Sequence, residues 1–194
     1  LANSGDTNTG IYFPAADTVG VVAGGTEKFR FGNNPIPGGS KNMLFNGSFT
    51  ISQRGDNWDI DPNASGTDEF YTIDRWFMYA HLVDADYTVT WETLAAGTDE
   101  PYDHGFRRSL KVNCDVASAS PGVSDTLAVS QKLEGYDVQR LAYGDAQAKE
   151  STVSFWHKHT KTGTHCVTIM RSGGYGWASK QYTQTSTNTW EYAT

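Results

Sequence analysis

The chain has 194 residues and a net charge of −7, from 15 basic and 22 acidic side chains. This length predicts one domain, or one domain with a small appendage. The acidic balance excludes the basic face that phosphate groups require, so we expect no nucleic-acid partner. Apolar runs are only a few residues long, against the ~20 that a spanning helix needs, so we expect no membrane insertion.

Composition indicates the fold class. Aromatic residues make up 13% of the chain and charged residues only 19%. Threonine, valine, tyrosine and tryptophan are frequent and suit a half-buried strand, whereas lysine, glutamate and leucine, which favour helices, are scarce. We therefore predict an all-β fold.

Residues 32–41, with the sequence GNNPIPGGSK, separate two parts of different pattern. Two prolines and three glycines in ten residues cannot sustain a helix or a central strand. We predict a small unit over 1–31, a linker over 32–41 and a larger unit over 42–194.

The small unit contains three short strand candidates, at residues 11–13, 18–23 and 27–31. Gly24 and Gly25 between the last two predict a two-residue hairpin turn. About 30 residues are too few to bury a core without staples or partners. We therefore predict that this unit packs against copies of itself, as a trimeric β-stalk.

The larger unit alternates apolar and polar residues, which is typical of strands with one buried face. Glycine-containing turns separate these segments, as in an antiparallel sandwich. A short helix is predicted only over 137–143, between an aspartate and a glycine. The alternating sets are Tyr87, Val89 and Trp91; Leu110, Val112 and Cys114; Leu127, Val129 and Leu133; Val153, Phe155 and His157; and Val167 and Ile169, and the polar stretch 183–189 is predicted as a further strand.

The order of several motifs resembles a known family. GDTNTGIYFPAADTVGVVAGGTEKFRF resembles the short β-repeat of tail-fibre proteins of marine tailed bacteriophages. NMLFNGSFTISQRG and YTIDRWFM look like the opening of their jelly-roll domain, which is similar to carbohydrate-binding modules. LKVNC, QKLEGYDVQRLAYG and STVSFWHKHTKTGTHCVTIM continue the pattern in the same order. The resemblance covers nearly the whole chain, and no piece of it is a catalytic signature.

This resemblance implies a receptor-binding component of a virion tail, assembled in the host cytoplasm. Its partners would be two further copies of the chain, joined through the N-terminal segment, and other tail proteins. In the family, a further strand and a glycine-rich segment follow the element at 190–192. The resemblance therefore implies that the sequence is a fragment whose last sandwich strands are missing.

The acidic residues at 56–63 are a candidate calcium-binding loop, since hard cations take several carboxylate and carbonyl oxygens. Asp59, Asp61 and Asn63 have the alternate spacing of a calcium loop, but Ala64 stands where the loop needs glycine and Phe70 where it needs glutamate. An acidic, solvated turn is the favoured interpretation. We predict no cofactor, and a structural calcium held by backbone carbonyls is left open.

His157 and His159 form an H-x-H pair that would share one strand face and could share a metal. No third ligand is set by spacing, although His165 falls on the next predicted strand. Ordinary face-lining histidines are the favoured interpretation, and the identity of any metal stays unknown.

Three aromatic residues are the candidates for binding a ligand. Trp58 lies in the acidic segment, and Tyr175 and Trp177 follow a Gly-Gly pair. Segments of this kind predict loops, where a tryptophan ring can stack on the apolar face of a sugar. Packing at the sandwich end or on a neighbouring subunit is the alternative, since most aromatic rings are buried.

Together these features predict an adhesion protein of the virion and not an enzyme, since no nucleophile motif is present. Weak, shallow, aromatic-lined sites would bind a host polysaccharide or lipopolysaccharide, and several copies on one stalk would raise avidity. The alternative is a structural spacer without a ligand. A polysaccharide depolymerase is favoured least, because the acid pairs Asp84/Asp86 and Asp99/Glu100 carry no signal beyond that of ordinary turns.

Overall fold

The computed structural model describes residues 2–3, 5–31, 42–62, 69–81, 85–171 and 176–194. Strands make up 44% of it and helices 7%, with antiparallel sheets, which confirms the all-β prediction. The chain divides into two compact units, Leu1–Asn42 and Met43–Thr194. The predicted linker over 32–41 lies outside the described residues.

The strands alternate with short turns along both units. Among the helices that the structure describes in the second unit are α1 (Glu100–Asp103) and α2 (Gly135–Val138), each of one turn. The first unit contains β1 (Ala2–Asn3), β2 (Asp6–Tyr12), β3 (Val19–Ala23) and β4 (Thr26–Phe31). The second contains β5 (Asn57–Ile60), β6 (Glu69–Tyr71), β7 (Phe77–His81), β8 (Asp86–Thr93), β9 (Arg108–Val116), β10 (Thr126–Ser130), β11 (Phe155–His157), β12 (Gly163–Met170), β13 (Trp177–Gln184) and β14 (Glu191–Ala193).

The first unit is one antiparallel sheet with strand order β1-β2-β3-β4. Gly24 and Gly25 join β3 to β4 and have φ of +60° and +75°. Positive φ at both central residues characterises a type I′ turn, which glycine adopts without steric cost. The predicted two-residue hairpin turn is confirmed.

One face of this sheet is apolar and open to solvent. Ile11 lies opposite Val21, which lies opposite Phe29, and Val19 lies opposite Phe31. Opposed side chains share a face, so these five residues form what we call the first unit's apolar face. Phe29 is 66% exposed and Phe31 45%, so the sheet leaves much of this face in water.

The other face carries a polar network instead of a core. The Tyr12 ring covers Gly20, and its hydroxyl donates to Glu27. Both carboxylate oxygens of Glu27 accept hydrogen bonds from Arg30, each at 2.7 Å. Among the residues described in this unit, Gly20 alone is buried. The first unit therefore buries none of the large apolar side chains described in it.

The second unit has its core between two three-stranded sheets, ordered β5-β8-β9 and β10-β7-β6. Met78 and Val89 are completely buried there, and each contributes about 1.5–3 kcal/mol through burial. Two further pairs, β11-β14 and β12-β13, complete the described strands. The jelly-roll order and the stalk repeat stay predictions. The core cluster is Ile60, Met78, Ala80, Ala85, Tyr87 and Val89.

Within the acidic segment at 56–63, Asn57–Ile60 forms strand β5 where we expected a loop, and Asn63 lies outside the described residues. Along β5, Trp58 is partly buried and Ile60 is buried, while Asn57 and Asp59 are exposed. Polar residues therefore alternate on the outer side of a sheet. The predicted loop was wrong because the alternation, and not the acidic character, sets the local structure.

The predicted helix over 137–143 is present but shifted. Helix α2 begins at Gly135 and continues as a 3₁₀ turn, Gln139–Leu141. Ala142 ends it with φ of +51° and ψ of +38°, in the left-handed region. Leu141 is buried and anchors the turn on the unit.

Candidate functional site

The three predicted ligand-binding aromatics have different surroundings. Trp177 is 70% exposed and begins β13, opposite Met170. Trp58 pairs with Val89 inside a three-stranded sheet and packs on the core cluster, so its predicted position in an exposed loop was wrong. Tyr175 lies outside the described residues. Trp177 is therefore the residue around which a site can be built.

Trp177 belongs to a regular face of the two-stranded β12-β13 sheet. Opposed residues of the two strands share a face, and every second pair points away from the body of the second unit. All members of this face are exposed and of neutral residue types. We call it the Trp177 face; its pairs are Thr164–Thr183, Cys166–Gln181, Thr168–Ser179 and Met170–Trp177.

The chemistry of the Trp177 face is that of short polar groups beside an apolar end. The hydroxyls of Thr168 and Ser179 are 2.7 Å apart and hydrogen-bond to each other. Hydroxyl and amide groups both donate and accept, so Gln181 beside them extends the polar strip. Met170 and Trp177 supply polarisable, apolar surface at one end.

The end of the hairpin is closed beside Trp177. The N–H of Arg171 donates to the carbonyl of Gly176 at 3.1 Å. Gly176 has φ of +93°, a left-handed conformation that a side chain would strain. This turn fixes the start of β13 and holds Trp177 on a paired strand.

The opposite face of the hairpin is held to the second unit by ring contacts near its base and, further along β13, by a hydrogen bond at 3.0 Å from Lys180 Nζ to the carbonyl of Thr194. The Tyr182 ring meets Phe155 edge-on at 5.0 Å and His157 at 4.7 Å between centroids. Gln184 is completely buried and its side-chain oxygen lies 2.9 Å from His157 Nδ1. Strand β11 therefore anchors the end of the hairpin that lies away from Trp177.

Further from the base, the hairpin and the segment around β11 separate, and an open groove of about 280 Å³ lies between them. Apolar residues of the hairpin face apolar residues that precede and begin β11. The hairpin end that carries Trp177 is therefore less packed than the base. The apolar lining is Val153, Phe155, Val167, Ile169, Ala178 and Ala193, with Tyr182 at its lower end.

The histidines of the H-x-H pair lie at this base. The rings of His157 and His159 are 5.5 Å apart, and His159 stacks on His165 at 4.0 Å with an angle of 13°. In the part of the chain that the structure describes, no group of three or more His, Cys, Asp or Glu is arranged to hold a metal ion. The cluster packs the hairpin as a set of aromatic rings.

Four acidic residues of the second unit lie close enough to interact electrostatically. Burial and then Asp61, Asp59 and Asp115 raise the pKa of Asp86. Asp99 is engaged by Lys158 and by the Trp190 indole, and Asp84 lies outside the described residues.

Comparison with protein-family models, with curated proteins and with solved structures finds no match to this chain. The site is therefore argued from its own geometry. Sequence reasoning selected Trp177 but missed Thr168, Ser179 and Gln181 as its neighbours. The alternation of β12 could have identified Thr168, whereas the pairing with β13 has no local signal.

Proposed function

We propose that this chain is an adhesion protein of the tail-fibre type that binds a neutral host-surface glycan through the Trp177 face. The observation that carries the proposal is the position of Trp177. Its indole is 70% exposed at the end of a flat strip of hydroxyl and amide side chains. An exposed ring next to groups that both donate and accept matches a sugar, which has apolar C–H faces and a rim of hydroxyls.

The length of the face suits an extended ligand. The face runs from the Thr164–Thr183 pair to the Met170–Trp177 pair, six residue steps along each strand, which at about 3.4 Å per step gives a strip of roughly 20 Å. A strip this long and shallow favours a chain of sugar units over a compact small molecule, since small-molecule sites are concave. The neutral residue types of the face favour an uncharged glycan over an acidic one.

The first unit supports the multivalent part of the proposal. Its apolar face leaves Phe29 and Phe31 largely in solvent, and no large side chain described in this unit is buried. Isolated units of this size need partners to bury their apolar side chains. We propose that three copies associate through this face, which would present three glycan sites on one particle and raise avidity.

The place of action is proposed from the resemblance of the motifs to tail-fibre proteins of marine tailed bacteriophages. It would be the virion tail, with other tail proteins and host polysaccharide or lipopolysaccharide as partners. No helix among the described residues is long and apolar enough to cross a bilayer.

The test is an array of neutral bacterial polysaccharides and purified lipopolysaccharides, followed by calorimetry with the best binder. We expect Trp177→Ala to weaken binding by about tenfold or more, equivalent to about 1.4 kcal/mol. Tyr136→Ala removes another exposed aromatic ring, on α2 and not a member of the Trp177 face, and should leave affinity unchanged. Absence of binding across the array, or equal binding by Trp177→Ala, would favour a structural spacer.

A further inference from the structure

The base of the hairpin that carries Trp177 is closed by three histidines from two elements. His157 ends β11, His159 follows it, and His165 lies on β12. The rings of His159 and His165 are nearly parallel, with centroids 4.0 Å apart. Tyr182 of β13 lies 5.5 Å from His165 and 6.3 Å from His159. These rings join the segment after β11 to both strands of the hairpin.

One nitrogen in this cluster is shielded without a partner. Nε2 of His159 is inaccessible to solvent and has no hydrogen-bond partner among the described residues. A neutral ring can place its acceptor nitrogen there at modest cost. A protonated ring would hold a charged N–H at this position without an acceptor, which is far more costly.

The neighbouring hydrogen bonds orient the His157 ring and assign the role of its Nδ1 atom. Nε2 of Gln184 donates to the carbonyls of Ser186 and Thr189, at 2.6 and 2.8 Å. The side-chain oxygen of Gln184 is therefore the atom that faces His157, and Nδ1 of His157 must donate to it. This network holds β11 against the end of β13, beside the stacked pair.

We infer that the stacked pair of His159 and His165 holds the base of the β12-β13 hairpin closed and releases it in acid. We call this pair the fastener. When both rings are neutral, they stack and close the base. When both carry a proton, two like charges lie about 4 Å apart in a half-buried site, and they repel by several times the thermal energy. Protonation therefore loosens the hairpin and lowers the affinity of the Trp177 face for its glycan, a consequence that rests on the proposed function.

Most of the groups around His159 lower its pKa, which favours the neutral ring in the folded protein. Burial is the main cause that lowers the pKa of His159, followed by the nearby rings of His165 and His157. The charge of Glu191 on β14 raises the pKa of His159. Tyr182, whose own pKa is raised by burial, supplies no compensating negative charge. Because the folded pKa lies below its ordinary value of 6.5, the stabilisation is complete above that pH and is lost as the pH falls through the folded value.

Hydrogen exchange read by mass spectrometry tests the fastener without a ligand. Protection of the β12 and β13 amides is compared at about pH 8 and about pH 5, the range across which histidine changes charge, after correction for intrinsic rates. We expect protection of the hairpin to fall by about tenfold or more, while β8 and β9 of the same unit keep theirs. Unchanged protection of the hairpin would overturn the inference.

Two variants separate the fastener from a general effect of acid. His159→Phe with His165→Phe keeps two stacked rings that cannot be protonated, and we expect its hairpin protection to be the same at both pH values. His165→Phe alone removes one charge and serves if the double variant does not fold; its loss of protection should be smaller than that of the wild type. A loss as large as the wild type's in either variant contradicts the inference.

The matched control is His104→Phe. His104 is an exposed histidine that also packs on an aromatic ring, with Trp156 at 4.9 Å, and this variant should keep the full acid response. Calorimetry with the best glycan at both pH values then measures the functional consequence. If no glycan binds even at about pH 8, the proposed function fails, whereas the exchange data still decide the fastener.

Discussion

The indole N–H of Trp190 donates to Oδ1 of Asp99 at 2.7 Å, which joins two residues 91 positions apart. Lys158 donates to the same oxygen at 3.2 Å, and its ammonium group lies 4.7 Å from the centre of the Trp190 ring. Oδ2 of Asp99 accepts the N–H of Ala95 at 2.9 Å. One carboxylate therefore ties the turn before α1 to the segments beside β11 and β14.

We predict that Asp99→Asn destabilises the second unit by about 1 to 3 kcal/mol, the range for leaving a hydrogen-bonding group without its partner. The carboxylate side chain is only 14% exposed, so water compensates poorly for the lost acceptor. Urea denaturation followed by circular dichroism measures the change. Asp103→Asn, at an exposed position of the adjacent α1 helix, is the control and should change stability little.

Acid should weaken the same region at a lower pH than it loosens the histidine pair. The N–H of Ala95, the Trp190 indole and Lys158 lower the pKa of Asp99, and the N–H and hydroxyl of Thr185 with the N–H of Ser186 lower that of Glu191. Folded pKa values below the ordinary 3.8 and 4.5 give stabilisation that is complete above those values and lost as the pH falls through the folded ones.

The measurement is the urea midpoint across the acid range, for the wild type and for Glu191→Gln. Glutamine keeps the shape of Glu191 and removes its titration, so this variant should be less stable at neutral pH and lose less stability on acidification. If the urea midpoints of the two proteins fell by the same amount on acidification, titration of Glu191 would not contribute to the loss of stability.

The sequence predicted those turns and strands that depend on residues close to one another in the chain. The I′ turn at Gly24 and Gly25 follows from residues that tolerate positive φ, and strands β8 and β9 follow from the alternation of apolar and polar residues. Strand β5 was missed because its outward residues are asparagine and aspartate, which also favour turns. Because the segment is acidic, we predicted a turn, although its polar and apolar residues alternate with the two-residue period of a strand.

Long-range pairing limited the prediction of the site. Strand β13 begins with Trp177, Ala178, Ser179 and Lys180, a stretch in which only the tryptophan favours strands. Its partner β12 supplies the hydrogen bonds that make it regular. The sequence therefore identified Trp177 as exposed but placed it in a loop, and the polar strip beside it could not be assembled from one strand alone.

The apolar face of the first unit leads to a prediction about assembly. Phe29→Asp places a charge at its most exposed described strand position, and burying an unpaired carboxylate between copies is costly. We expect the native particle to change from a trimer to a monomer, as measured by light scattering. Asn8→Asp adds the same charge at an exposed position which, by alternation along β2 from Ile11, lies on the opposite face, and it should leave the trimer intact. A monomeric wild type would remove the basis for multivalent binding.

The polar face of that sheet depends on a glycine. A Cβ atom at Gly20 would lie 2.3 Å from Cε1 of Tyr12, far inside contact distance. We predict that Gly20→Ala displaces the Tyr12 ring, breaks its hydrogen bond to Glu27 and lowers the protection of the neighbouring strand amides. Hydrogen exchange of the β2 and β3 amides measures this in the full chain.

The paired variant Tyr12→Ser removes the ring and with it the steric conflict. In that background, Gly20→Ala should cost little and should even stabilise the strand slightly, because alanine restricts the unfolded chain more than glycine does. A Gly20→Ala effect of the same size with and without the Tyr12 ring would show that the glycine is needed for another reason than the close approach of Tyr12.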